Sequence, residues 1–109
     1  MFQQAYDIAV EIDDRFSQVD TLRGLGHIER HFGEYRGAQR YYEGSQRIAE
    51  RIGDPLGRAD ALRGLATVAV KTGRAERAEQ LLSQALELYA STGVRHGEQI
   101  TSEIRMRSD

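Results

Sequence analysis

Residues forty positions apart along this 109-residue chain carry the same pattern. Leu22-Arg23-Gly24-Leu25 returns as Leu62-Arg63-Gly64-Leu65, Gly33 as Gly73, Ala38 as Ala78, Ser45 as Ala85, Ile48 as Leu88 and Gly53 as Gly93. A period of this length confines the chain to a stack of helical hairpins, each burying its apolar face against the next. Arrays of that kind bind partners and rarely catalyse.

The apolar spacing within each period is helical throughout. Val19, Leu22, Leu25, Ile28 and Phe32 form one stripe. Ser17 followed by Asp20 gives an expected capping start near residue 18, and Gly33 gives the stop. Tyr35, Ala38, Tyr42, Ser45, Ile48, Ala49 and Ile52 form the second stripe, ended by Gly53-Asp54-Pro55, where proline prevents continuation. The next copy repeats this with Ala59, Leu62, Leu65, Ala66, Ala69 and Val70, then Ala75, Ala78, Leu82, Ala85, Leu88 and Tyr89. The expected fold is therefore all-α, an α-α superhelix of antiparallel hairpins with about five helices and no strand.

Extended backwards, the register sets Phe2, Ala5, Ile8, Ala9 and Ile12 opposite Tyr42, Ser45, Ile48, Ala49 and Ile52. One array over residues 1–109 is expected to divide into a partial unit at 1–16, a second helix without its first, then full units at 17–56 and 57–96. Residues 97–109 are expected to form a partial or capping helix, since Ser102 and Arg105 stand where Leu62 and Leu65 stood.

On these positions each copy resembles the tetratricopeptide repeat. The first helix carries a large apolar residue, then leucine and a small residue (Leu22, Leu25, Gly26; Leu62, Leu65, Ala66), and glycine marks the turn (Gly33; Gly73). The second helix carries alanine, a large apolar residue and a small residue (Ala38, Tyr42, Ser45; Ala78, Leu82, Ala85). The usual period is about 34 residues. The forty-residue unit, with its Gly53-Asp54-Pro55 joint, is similar to those of kinesin light chains and of arrays in bacterial multidomain regulators. One departure is Glu29, where the family often carries an aromatic residue and the second copy has Ala69. The resemblance implies a protein-protein or peptide interaction module with a concave groove lined by the first helices.

Charge and composition narrow the classes of partner. Fifteen basic against seventeen acidic residues leave a formal charge of −2, so no global field holds a nucleic-acid backbone, and no nucleic acid is expected as partner. No apolar run approaches the roughly 20 residues needed to cross a bilayer. The chain has no cysteine, which removes disulfides and thiolate metal sites, and a cytoplasmic location is expected. Fourteen arginines against the single Lys71, and no asparagine, suit either carboxylate recognition by the guanidinium fork or a GC-rich coding bias.

The expected partner-binding stripe on the first helices comprises Asp20, Arg23, Gly24, His27 and Arg30, with Asp60, Arg63, Gly64, Thr67 and Lys71 in the next copy. A protein or peptide is the expected ligand, and Arg23 and Arg63 on adjacent repeats suit an acidic one. The alternative is that Asp20 pairs with Arg23 and Asp60 with Arg63 along each helix. Gly24 and Gly64 each weaken a helix interior at the same phase, and serve either as a lowered groove floor or as a seat for a neighbouring helix. The clamp by which relatives hold chaperone C-termini is not expected: it needs lysine and asparagine, and arginine and Gly64 stand in those places.

His27 and His31 are four apart, yet no third ligand is evident, and no metal or cofactor is expected. The tyrosines are assigned to packing. No set of nucleophile, base and stabiliser occurs, so no enzymatic activity is expected. Binding within a larger bacterial regulatory protein is the leading expectation. Self-association through unpaired terminal helices, giving a homodimer, and sensing of a small molecule or signalling peptide are the alternatives.

Overall fold

The computed structural model describes residues 14–93, which form four helices: α1 (Arg15–His31), α2 (Tyr35–Ile52), α3 (Pro55–Lys71) and α4 (Ala75–Thr92). Both ends of α3 lie forty residues beyond those of α1, and α4 stands in the same relation to α2. The flanking partial helices expected at 1–16 and 97–109 fall wholly or almost wholly outside the described residues.

Each helix stops at a glycine with positive φ: Gly33, Gly53, Gly73 and Gly93, at +76°, +68°, +77° and +76°. That left-handed conformation is cheap only without a Cβ. It turns the following N–H back onto the helix just ended, so Glu34, Asp54 and Arg74 donate to the carbonyls of Glu29, Ala49 and Ala69 at 2.7–2.9 Å. Spaced twenty apart, these turns fold the chain into hairpins.

The starts of α1 and α3 share a second device. Asp14 accepts the Ser17 N–H at 3.0 Å, and forty residues on Asp54 accepts the Gly57 N–H at 2.9 Å. The cap of α1 is therefore Asp14 and not Ser17, and the helix begins three residues earlier than the apolar stripe alone suggests. Pro55 takes the first helical position of α3, where its missing N–H has no partner to lose.

Packing follows the small-and-large pattern. α1 lies on α2 and α3 on α4, α2 also packs along α3, and α1 meets α3 more sparingly. Ala59, Leu62, Ala66, Ala69, Ala78, Leu82, Ala85 and Tyr89 make the core of the second pair. Ala38 and Tyr42 of α2 close over Val68 of α3, joining one pair to the next. Ser45 replaces the alanine found at 85, and its buried hydroxyl is satisfied by donating to the Val19 carbonyl at 2.8 Å. Among the described residues no helix is long and apolar enough to cross a membrane.

Candidate functional site

The face shared by α1 and α3 is built around two tyrosines that enter from the second helices. The Tyr42 ring, wholly buried, lies between Gly26 of α1 and Gly64 of α3. A Cβ on Gly26 would stand 2.7 Å from a ring carbon, and one on Gly64 would stand 2.6 Å away. Gly64 is thus a seat for a neighbouring helix, the second of the two roles open to it from sequence. Gly24 lies half-buried on α1.

From this seat the Tyr42 hydroxyl reaches the exposed His27, 2.6 Å from Nδ1, with the two rings edge to face. Desolvation pushes the His27 pKa down, and the positive charges of Arg30, Arg23 and Arg63 push it further in the same direction. Both effects favour the neutral form of the imidazole. Burial pushes the Tyr42 pKa up, against the pull of the same three arginines. In the tautomer that accepts the phenol proton at Nδ1, the ring carries its own proton on Nε2.

Asp60 forms the second half of the face. Its Oδ2 accepts from Arg23 Nη1 at 3.0 Å, across from α3 to α1, and its Oδ1 accepts from the Tyr89 hydroxyl of α4. Burial and the Asp60 carboxylate together push the Tyr89 pKa far above its usual value. Arg23 also lies 3.3 Å from Asp20. The side chains of Arg23 and Asp60 are only 26% and 22% exposed, whereas Asp20 is 71% exposed. Asp20 therefore adds a screened surface pair, worth a few tenths of a kcal/mol up to about 1 kcal/mol. Of the two pairs in the alternative reading, Asp20 with Arg23 is formed and Asp60 with Arg63 is not. Arg23 arrives from the neighbouring repeat and takes the carboxylate instead.

Among the described residues no carboxylate pairs with Arg30 or Arg63, and both stand close enough to His27 to act on its ionisation. Thr67 turns its hydroxyl back to the Arg63 carbonyl, 3.1 Å away. Lys71 is the exposed last residue of α3. Val70, on the apolar stripe of α3, packs against the core of the second pair. The structure thus gathers Asp20, Arg23, His27, Arg30, Asp60 and Arg63 into one neighbourhood.

Tyr42 and Tyr89 are missing from the stripe read in sequence, although their hydroxyls complete its polar network. The signal was present in the register: tyrosine stands at 42 and 89 where the other copy has Leu82 and Ala49. A buried phenol must find a polar partner, which an apolar position does not require. Among the described residues no group of three or more histidine, cysteine, aspartate or glutamate side chains is placed to hold a metal. His31 rests edge-on against Phe32, and the Nδ1 of His27 is occupied by Tyr42.

Comparison with the curated proteins finds no match. A family model for the tetratricopeptide repeat matches residues 17–91, more than half of the chain and nearly all of the described helices. Tetratricopeptide repeats generally mediate protein-protein interactions. That match, together with helix ends and core positions that recur at forty residues, assigns the chain to the tetratricopeptide repeat family.

Proposed function

We propose that the chain binds an acidic protein or peptide segment along the shared face of α1 and α3, the concave groove of the first helices, as part of a larger bacterial regulatory protein. The observation that carries this reading is the imbalance of charge around His27. Arg23 is committed to Asp20 and Asp60, while Arg30 and Arg63 flank the imidazole without a carboxylate partner among the described residues. Two guanidinium forks on one face suit carboxylates. The regulatory setting is supported by the forty-residue unit and the Gly53-Asp54-Pro55 joint, similar to those of bacterial regulator arrays.

The test is fluorescence anisotropy with a labelled extended peptide of alternating glutamate and serine. Saturable binding is expected, weakened about tenfold or more in R30E/R63E. Equal affinity for that variant, or for a lysine-for-glutamate peptide, would defeat the reading.

Self-association is a second reading, favoured by one observation. Val68 is buried with Ala38 and Tyr42 of α2, whereas its counterpart Ile28 is 38% exposed, on the helix that also exposes Phe16. Phe32, just beyond the helix, is 75% exposed. A monomer in sedimentation across micromolar concentrations would count against it.

A further inference from the structure

A second surface separates the two helix pairs despite their common register. Between α1 and α2 lies a cleft of about 540 Å³, whose floor is Leu22, Tyr41 and Ile48 together with the bare backbone at Gly37 and Gly44. At the matching positions of the second pair stand Arg77 and Gln84. Glycine inside a helix weakens it, so a packing reason is expected. At Gly26 and Gly64 that reason is the Tyr42 ring, but here it is absent. A Cβ on Gly44 would meet only Leu22 Cδ1 at an ordinary 3.5 Å, and one on Gly37 would meet chiefly the far end of the flexible Glu29 side chain.

Arg40, Arg47 and Arg51 line the cleft, all exposed and none paired with a carboxylate among the described residues. Against these three cations the lining holds one acid, Glu29. From Gly37 to Arg51 the α2 side of the cleft runs for roughly 20 Å, the length of a helix of about fourteen residues. On α1, Leu22 and Glu29 stand about half a turn round from Asp20 and His27, so this is a separate face from the one described above.

We propose that the α1–α2 cleft is a docking groove for an acidic amphipathic helix of a partner protein. The partner's apolar edge lies on Leu22, Tyr41 and Ile48 over the glycine floor, and its carboxylates meet Arg40, Arg47 and Arg51. Closely approaching backbones at Gly37 and Gly44 give the groove its depth, and the arginine row gives it its sign. The proposal does not rest on the α1–α3 face.

The probe is a labelled, end-capped helical peptide of about 18 residues, with leucine along one edge and glutamate on both flanks, titrated against the full chain. Saturable binding is expected, unchanged in R30E/R63E and weakened about tenfold or more in R47E/R51E. Filling the groove with G37A/G44Q keeps the charge and favours the helix, so the fold and its melting temperature are retained while binding falls by a similar factor. Undiminished binding to G37A/G44Q, or equal binding of a lysine-for-glutamate peptide, overturns the proposal. So does absence of saturable binding, the outcome if residues 1–13 or a second copy already fill the cleft.

Discussion

Gly64 and Gly44 both sit inside helices, yet one added carbon has opposite consequences at the two places. Alanine gains up to about 1 kcal/mol of helix propensity over glycine at either. At Gly64 the new Cβ would lie 2.6 Å from the Tyr42 ring, which is fixed by Gly26 on its other side and by His27 at its hydroxyl. Overpacking of that kind costs about 1–3 kcal/mol, so Gly64→Ala is expected to destabilise on balance. Gly44→Ala meets nothing closer than 3.5 Å and is expected to stabilise by a few tenths to about 1 kcal/mol. Urea midpoints of the two variants check the signs, and a more stable Gly64→Ala would refute the seat assigned to Tyr42. His27 gives a residue-scale prediction of another kind. Its folded pKa lies below the ordinary 6.5, so at lower pH the unfolded chain takes up a proton that the folded chain refuses. Protons bound preferentially by the unfolded state make stability rise with pH, so stability is lost as pH falls through 6.5 towards the folded value. His27→Gln should therefore shrink the fall in unfolding free energy between pH 7 and pH 5.5. An unchanged fall would place its origin elsewhere.

At the scale of the elements, the two second helices were legible in sequence almost to the residue. Their ends are written in local chemistry: the four turn glycines need only their own φ, and Pro55 its missing N–H. The start of α1 was misread because a serine on the edge of an apolar stripe satisfies the same capping rule as the true cap. The repeat itself resolves it, since Asp14 stands forty residues before Asp54, and each accepts the N–H three residues on. Contacts between helices were less accessible. Spacing rules place Asp60 beside Arg63 on one helix, but only the packing of α1 on α3 delivers Arg23 to it. The hydroxyls of Tyr42 and Tyr89 were hidden for the same reason: an apolar stripe records that a ring is buried, not what its oxygen meets. The cleft of α1 and α2 is a difference between copies, and reading for similarity passes over it.

In the molecule as a whole, Asp60 does what neither helix pair does alone. It sits on α3, accepts from Tyr89 in its own pair, and accepts from Arg23 in the pair before it. The stability of a repeat array is close to the sum of its units and the interfaces between neighbours, so a carboxylate shared in this way belongs to both sums. Removing it with Asp60→Ala leaves the buried Tyr89 hydroxyl unsatisfied and Arg23 with only the exposed Asp20. The expected cost is about 1.5–3 kcal/mol, the range for hydrogen bonds to charged groups. Arg23→Ala and Tyr89→Phe each remove one partner and are expected to cost about 1 kcal/mol. Because both act through one carboxylate, their effects should not add: the double variant strands Asp60 with neither donor. A double-mutant cycle by chemical denaturation measures that coupling. Strict additivity, with Asp60→Ala costing under about 0.5 kcal/mol, would show that the pairs are joined by apolar packing of Ala38, Tyr42 and Val68 alone. Asp60→Ala also takes a negative charge off the α1–α3 face and frees Arg23 from its best partner, so it should tighten binding of the acidic peptide there while leaving the α1–α2 cleft untouched.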